Sequence, residues 1–126
     1  MTGRRAGAGW SIRRFDDPDA EVPMELGSFA RVELGGMTVG RAEYAPGWRW
    51  SEHVGKDLGQ ALCPVAHVGL VVSGRNRVVM ADGTEFEMGP GDLFDIGPGH
   101  DSIVVGDEPY VSLHFLGAAE YGGGDR

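Results

Sequence analysis

The sequence predicts an all-β fold, a small antiparallel β-barrel or jelly roll, on three observations. Its apolar residues recur in short runs rather than at helical spacing, the runs are bounded by Gly, Pro, Asp and Asn, and several alternate apolar with polar as half-buried strands do. With 126 residues, 22 of them Gly and 7 Pro, the chain has the length of one domain whose glycines and prolines serve as turns.

Strands are expected at 29–34, 37–44, 48–53, 66–73, 77–81, 85–88, 92–96, 102–105 and 110–116. Gly35-Gly36 and Asp82-Gly83 read as two-residue hairpin connections, because both tolerate the positive φ that primed turns require. After the second, Thr84, Phe86 and Met88 alternate with Glu85 and Glu87, a strand with one wet face. A weak helical pattern at 18–26 is interrupted by Pro23. The expected domain spans 12–117, between flexible tails at 1–11 and 118–126, the latter containing Gly122-Gly123-Gly124.

The formal net charge of −8 repels nucleic-acid phosphates and anionic lipid, so neither a nucleic acid nor a membrane is an expected partner. Arg4, Arg5, Arg13 and Arg14 are a local exception, without the apolar block of a signal peptide among them. Cys63 is the single cysteine, so no intramolecular disulfide forms and a cytoplasmic home is expected. The apolar run at 68–72 is far too short to span a bilayer. There is no phosphate-cradling Gly loop, no Gly-x-Ser-x-Gly elbow and no paired-cysteine zinc frame. Cys63 precedes Pro64 with no helix start to lower its pKa, so it has no case as a nucleophile.

His53, His67, His100 and His114 are the only histidines, each in or beside an expected strand. A barrel can gather such residues, since alternate side chains of every strand face its interior.

From Gly36 to Gly117 the sequence resembles the cupin superfamily, with the small single-domain monocupins as its pattern. Gly47, five residues and His53 match the opening of the first cupin motif, and His67 stands seven places before Gly74, where that motif carries its glutamate. Gly91-Asp92, the apolar strand ending at Ile96, the turn Gly97-Pro98-Gly99 and then His100 match the second motif with a shorter turn. Gly55 occupies the place of the second histidine, Val104 that of the final Asn, and thirteen residues separate His53 from His67 where the family has fewer.

The resemblance implies a divalent transition metal in the barrel on His53, His67 and His100, with Fe(II) or Zn(II) preferred and Ni, Cu or Mn as alternatives. His114 is expected as a fourth ligand or a general base, and Arg49, on the face of His53, as the holder of a substrate carboxylate or enolate. If His67 faces inward, Gly69 does too and leaves room beside the metal. The segment 54–65 reads as a lid that presents Lys56, Asp57 and Gln60 to the ligand. Trp10, Trp48 and Trp50 exceed what so small a barrel needs outside its lumen and point to a homodimer. The implied function is a metal-dependent enzyme acting on a small organic molecule, by oxygenase, isomerase, lyase or cyclase chemistry. The alternative is a non-catalytic small-molecule binding or sensing module of the same fold.

Overall fold

In a computed structural model that describes residues 4–119, the apolar runs form two packed antiparallel sheets. The strands are β1 (Arg5–Gly7), β2 (Trp10–Ile12), β3 (Ala20–Met24), β4 (Gly27–Leu34), β5 (Met37–Tyr44), β6 (His67–Ser73), β7 (Arg75–Met80), β8 (Glu85–Met88), β9 (Leu93–Ile96), β10 (His100–Val105) and β11 (Tyr110–Leu116). Two short helices, α1 (Trp50–His53) and α2 (Gly55–Leu58), follow β5. A six-stranded sheet runs β3-β4-β5-β11-β6-β9, a three-stranded sheet β10-β7-β8, and β1 pairs with β2. Phe29, Ala42 and Val71 from the larger sheet meet Val78, Met88 and Val104 from the smaller one in a single core.

The strands β5, β8 and β11 have the expected bounds. The Gly35-Gly36 turn has φ of 59° and 78°, the doubly left-handed geometry of a type I′ connection. At Asp82-Gly83 only the glycine is left-handed, with φ of 91°. Gly83 N donates to Met80 O at 2.9 Å and Met80 N to Thr84 O at 2.8 Å, so this connection has three residues rather than two.

Two strand regions escaped the pattern. The stretch 18–26 forms β3 rather than a helix, and Pro23 is accommodated because β3 is the edge of its sheet. Part of the expected N-terminal tail is the β1–β2 hairpin, tied down by Arg4 to Asp17 at 3.0 Å and Arg13 to Asp19 at 3.1 Å. At the other end Ala118 is buried and Arg31 donates to Ala119 O at 2.9 Å; the rest of the expected C-terminal tail, and residues 1–3, lie outside the described residues.

The largest departure is at 48–53, where a helical turn replaces the expected strand. The cause lies fifty residues away: the buried Asp101 carboxylate on β10 accepts from Ser51 N at 2.9 Å, Ser51 Oγ at 2.8 Å and Arg49 Nε at 2.8 Å. A strand would have turned Arg49, Ser51 and His53 inward; the helix instead buries Trp50 and Val54, four residues apart on one face. Trp48 is fully buried and stacks on Tyr44 with ring centroids 3.8 Å apart. Of the three tryptophans only Trp10 is exposed, so they form no aromatic surface patch for a homodimer. Asp101→Ala is expected to destabilise the fold by about 2–3 kcal/mol through loss of these bonds to a buried charge, read as a lower urea midpoint.

Candidate metal centre

The inner face of the barrel is set by alternation. Along β6, His67, Gly69 and Val71 are buried while Val68, Leu70 and Val72 face out. His67 enters the lumen from the first residue of this strand and His100 from the first residue of β10. His114 enters from β11, the neighbour of β6. The His67 ring centroid lies 5.2 Å from that of His100 and 5.1 Å from that of His114.

Cys63 completes the group. It precedes β6 by four residues and is held against β10, its N donating to His100 O at 2.7 Å and its carbonyl accepting from Gly99 N at 2.8 Å. Its Sγ lies 3.6 Å from His67 Nε2. The ligand atoms of Cys63, His67 and His100, all three buried, lie within 4.8 Å of one another and form a candidate metal site.

Protonation in the metal-free protein follows from these contacts. Burial pushes the Cys63 thiol up to about 11, so it stays S–H; it donates to Val65 O at 3.9 Å and its Sγ lies against His67 Nε2. Burial, reinforced by the neighbouring imidazoles His114 and His100, pulls His67 down to about 3. Burial and His100 likewise pull His114 down to about 4. Burial also lowers His100, so its ring is neutral. With its Nδ1 2.8 Å from Gly97 O, an atom that can only accept, the proton sits on Nδ1 and the Nε2 lone pair is left for the site.

A metal ion fits these donors. Zn–S of about 2.3 Å and Zn–N of about 2.0–2.1 Å at a tetrahedral angle place sulfur and nitrogen about 3.6 Å apart. That is the Cys63–His67 separation.

The cavity beside the group measures about 40 Å³ and is lined by Trp50, Asn76, Ser102, Tyr110 and Ser112 along with His67, His100 and His114, with no Lys, Arg, Asp or Glu among the described residues that line it.

Several expected site residues lie elsewhere. His53 ends α1 and turns its Nδ1 back to Arg49 N at 2.9 Å, outside the lumen, because the helical turn reversed the inward parity. Arg49 is engaged by Asp101 rather than directed at a ligand. Lys56 and Asp57 line a separate surface groove of about 220 Å³ with Glu25, Glu52 and His53, and Gln60 is exposed. From the segment 54–65 it is the Cys63 thiol that comes beside His67 and His100. Gly69 leaves no vacancy, since a Cβ there would meet Leu113 O and the Phe94 ring.

Sequence reasoning missed Cys63, although one signal was present. Residues 63 and 67 are four apart and share a face if the chain is extended, which Pro64 promotes.

Gly117 positions His67 from below. It has φ of +90°, and a Cβ there would run into Ala66 O and lie 3.1 Å from His67 Nδ1. Gly117→Ala is expected to cost about 2 kcal/mol from the left-handed backbone alone and to displace His67, seen as a shifted His67 ring resonance.

No family model and no curated protein matches the chain, whereas solved structures do. A Rhizobium leguminosarum bv. viciae protein of unknown function is 24% identical with a TM-score of 0.52 over 80% of this chain and 84% of that one. A cupin-2 domain protein from Rhodospirillum rubrum is 17% identical with a TM-score of 0.54, covering 77% of this chain and 63% of that one. Oxalate decarboxylase from Lactobacillus farciminis, solved with formate, is 17% identical with a TM-score of 0.55, covering 82% of this chain but 32% of that one.

At these identities the likeness shows the fold: the chain is a cupin-type β-barrel. Neighbours of this fold include enzymes and proteins of unknown function, and this barrel carries a buried Cys-His-His group inside it.

Proposed function

We propose that this cupin barrel is a metal-dependent enzyme that holds a divalent transition ion, Zn(II) or Fe(II), on Cys63, His67 and His100 and acts on a small carboxylate or carbonyl compound. The observation that carries this reading is the 3.6 Å separation of Cys63 Sγ and His67 Nε2, the edge length of a tetrahedral metal site. A thiolate with two imidazoles suits Zn(II) and its neighbours in softness rather than Mg or Ca. When bound, such an ion keeps an open position and acts as a Lewis acid on a water or substrate oxygen. The described residues that line the cavity carry no formal charge, and a bound ion would attract an anionic group.

The size of the space bounds the substrate. About 40 Å³ admits the ion's own water or a ligand of a few atoms, far below the roughly 300 Å³ at which drug-sized ligands begin to fit. That the similar oxalate decarboxylase was solved with formate supports a ligand of this size. The same tightness favours the second reading, a non-catalytic binding or sensing module whose ligand is the metal with a very small anion.

The single buried cysteine is consistent with the cytoplasmic home expected above. Pairing with a second copy now has a different surface to use. The outer face of the larger sheet presents Leu70, Val72, Leu113 and a Leu93 that is 77% exposed. Leu93→Glu is expected to convert a sedimenting dimer to the monomer; a wild-type protein that sediments only as a monomer removes the dimer.

Elemental analysis of the purified protein tests the metal assignment. About one equivalent of Zn or Fe per chain is expected, retained in His53→Ala and lost in His67→Ala. Wild-type protein that stays empty after exposure to excess Zn(II) and Fe(II), and is then dialysed, defeats the proposal. Turnover of small carboxylates by the loaded protein, set against binding without turnover, separates the enzyme from the sensor.

A further inference from the structure

We propose that Trp50 Nε1 and Asn76 Oδ1 form a two-point recognition site inside the barrel, a donor and an acceptor that together select a ligand carrying both an acceptor and a donor of its own. Both side chains line the cavity beside the metal group, and both are buried, at 2% and 4% exposure. Neither atom has a hydrogen-bond partner among the described residues. Buried polar groups are otherwise almost always satisfied, so each of these two calls for a partner from outside the chain.

The fold brings the two to one space from either side of β10. On one side Arg49 bridges Ile103 and Trp48 O accepts from Val104 N at 2.8 Å, which lays the start of α1 against that strand. A Cβ at Gly55 would run into Trp50 Cε3 and Cζ3, so this edge of the indole abuts α2 and the opposite edge, which carries Nε1, is turned away from it. On the other side β7 pairs with β10, Asn76 opposite Val104. Arg75 and Arg77 face out there while Asn76 and Val78 are buried, so strand alternation sends the Asn76 amide inward. Ser102, on β10 itself, lines the same cavity.

The chemistry of the pair defines its ligand. An indole N–H only donates and an amide oxygen only accepts. A ligand with acceptors alone, such as a plain carboxylate, satisfies Trp50 and leaves Asn76 Oδ1 buried without a donor. One that also carries a hydroxyl or an amide N–H satisfies both. Because a buried group left unpaired offsets much of what the other bond contributes, the pair is expected to discriminate by about tenfold. Among the small carboxylates proposed above, the site therefore takes one that bears a hydroxyl, with glycolate the smallest. That last consequence rests on the proposed function; the donor–acceptor pair does not.

Neutral probes, titrated in chelator, test the pair without the metal. Formamide and acetonitrile are alike in size and both offer an acceptor, but only formamide also donates. Each is added to nitrogen-15-labelled protein while the Trp50 indole N–H resonance is followed, assigned by its loss in Trp50→Phe. Formamide is expected to shift that resonance and to bind about tenfold more tightly than acetonitrile, and Asn76→Leu to remove the preference. Equal binding of the two probes, or an indole that responds to neither, overturns the proposal, because the pair then serves only solvent. A preference that survives in folded Asn76→Leu overturns it too; should that variant not fold, the wild-type comparison decides alone. In the Zn(II)-loaded protein the same resonance is expected to respond to glycolate at about tenfold lower concentration than to acetate. Equal binding of glycolate and acetate overturns the selection for a hydroxyl. If neither carboxylate binds while formamide keeps its preference, the carboxylate reading of the site fails and the pair stands.

Discussion

Cys63→Ala is expected to weaken Zn(II) binding by roughly a hundred- to a thousandfold. Four-ligand structural zinc sites are worth about 10–16 kcal/mol, or about 2.5–4 kcal/mol per ligand, and each 1.4 kcal/mol is tenfold in affinity. The fold should tolerate the change, because alanine occupies most of the volume of the thiol and Cys63's backbone bonds to His100 and Gly99 do not depend on its side chain. Competition against a chromophoric chelator measures the loss. His53→Ala is the informative comparison. The first cupin motif points to His53 as a ligand, whereas the structure turns it back on Arg49 outside the lumen. Unchanged affinity in Cys63→Ala, or a collapse in His53→Ala, would return the metal to the histidine set read from the sequence.

The metal-free protein is expected to lose stability steeply between pH 6.5 and pH 4. In the unfolded chain a histidine takes up its proton near pH 6.5. In the barrel, burial and neighbouring imidazoles hold His67 to about 3 and His114 to about 4, and His100 is lowered as well. Below pH 6.5 the unfolded state therefore binds more protons than the folded one. Stability falls as pH falls, by up to about 1.4 kcal/mol per pH unit for each such histidine, and levels off only once the folded values are passed. Asp19 and Asp82, whose hydrogen bonds hold them below the usual carboxylate range, add their losses at lower pH, below about 4. Urea midpoints taken in chelator at intervals from pH 7.5 to 4.5 should drop across that interval, and His114→Gln should reduce the slope. A flat profile would mean that these imidazoles are hydrated and chargeable in the folded state. Zn(II) should raise the midpoints at neutral pH and steepen the profile, since ligated imidazoles and a thiolate are held unprotonated in the fold and protons compete with the ion as pH falls.

What the sequence by itself determined about this protein is the part that is local. Period-two alternation placed β5, β8 and β11 and turned His67, Gly69 and Val71 to one face, because a strand's two faces are set by chain geometry alone. Gly35-Gly36 specified its turn for the same reason: only residues without a Cβ penalty take two left-handed positions in a row. The motif resemblance singled out His67 and His100, and the two meet in the lumen, each beginning a strand. That Cys63 rather than His53 lies beside His67 and His100 was not legible. It depends on the Asp101 carboxylate, which reaches across from β10 to bond Ser51 and Arg49, winds 50–53 into a helix and reverses which side chains point inward. The edge strand β3 and the β1–β2 hairpin were hidden likewise, since their pairings and the Arg4 and Arg13 ion pairs exist only once distant segments meet. Tertiary structure decided which side chains meet in the lumen, because a buried charge and its hydrogen bonds outweigh the weak local preference of four residues between strand and helix.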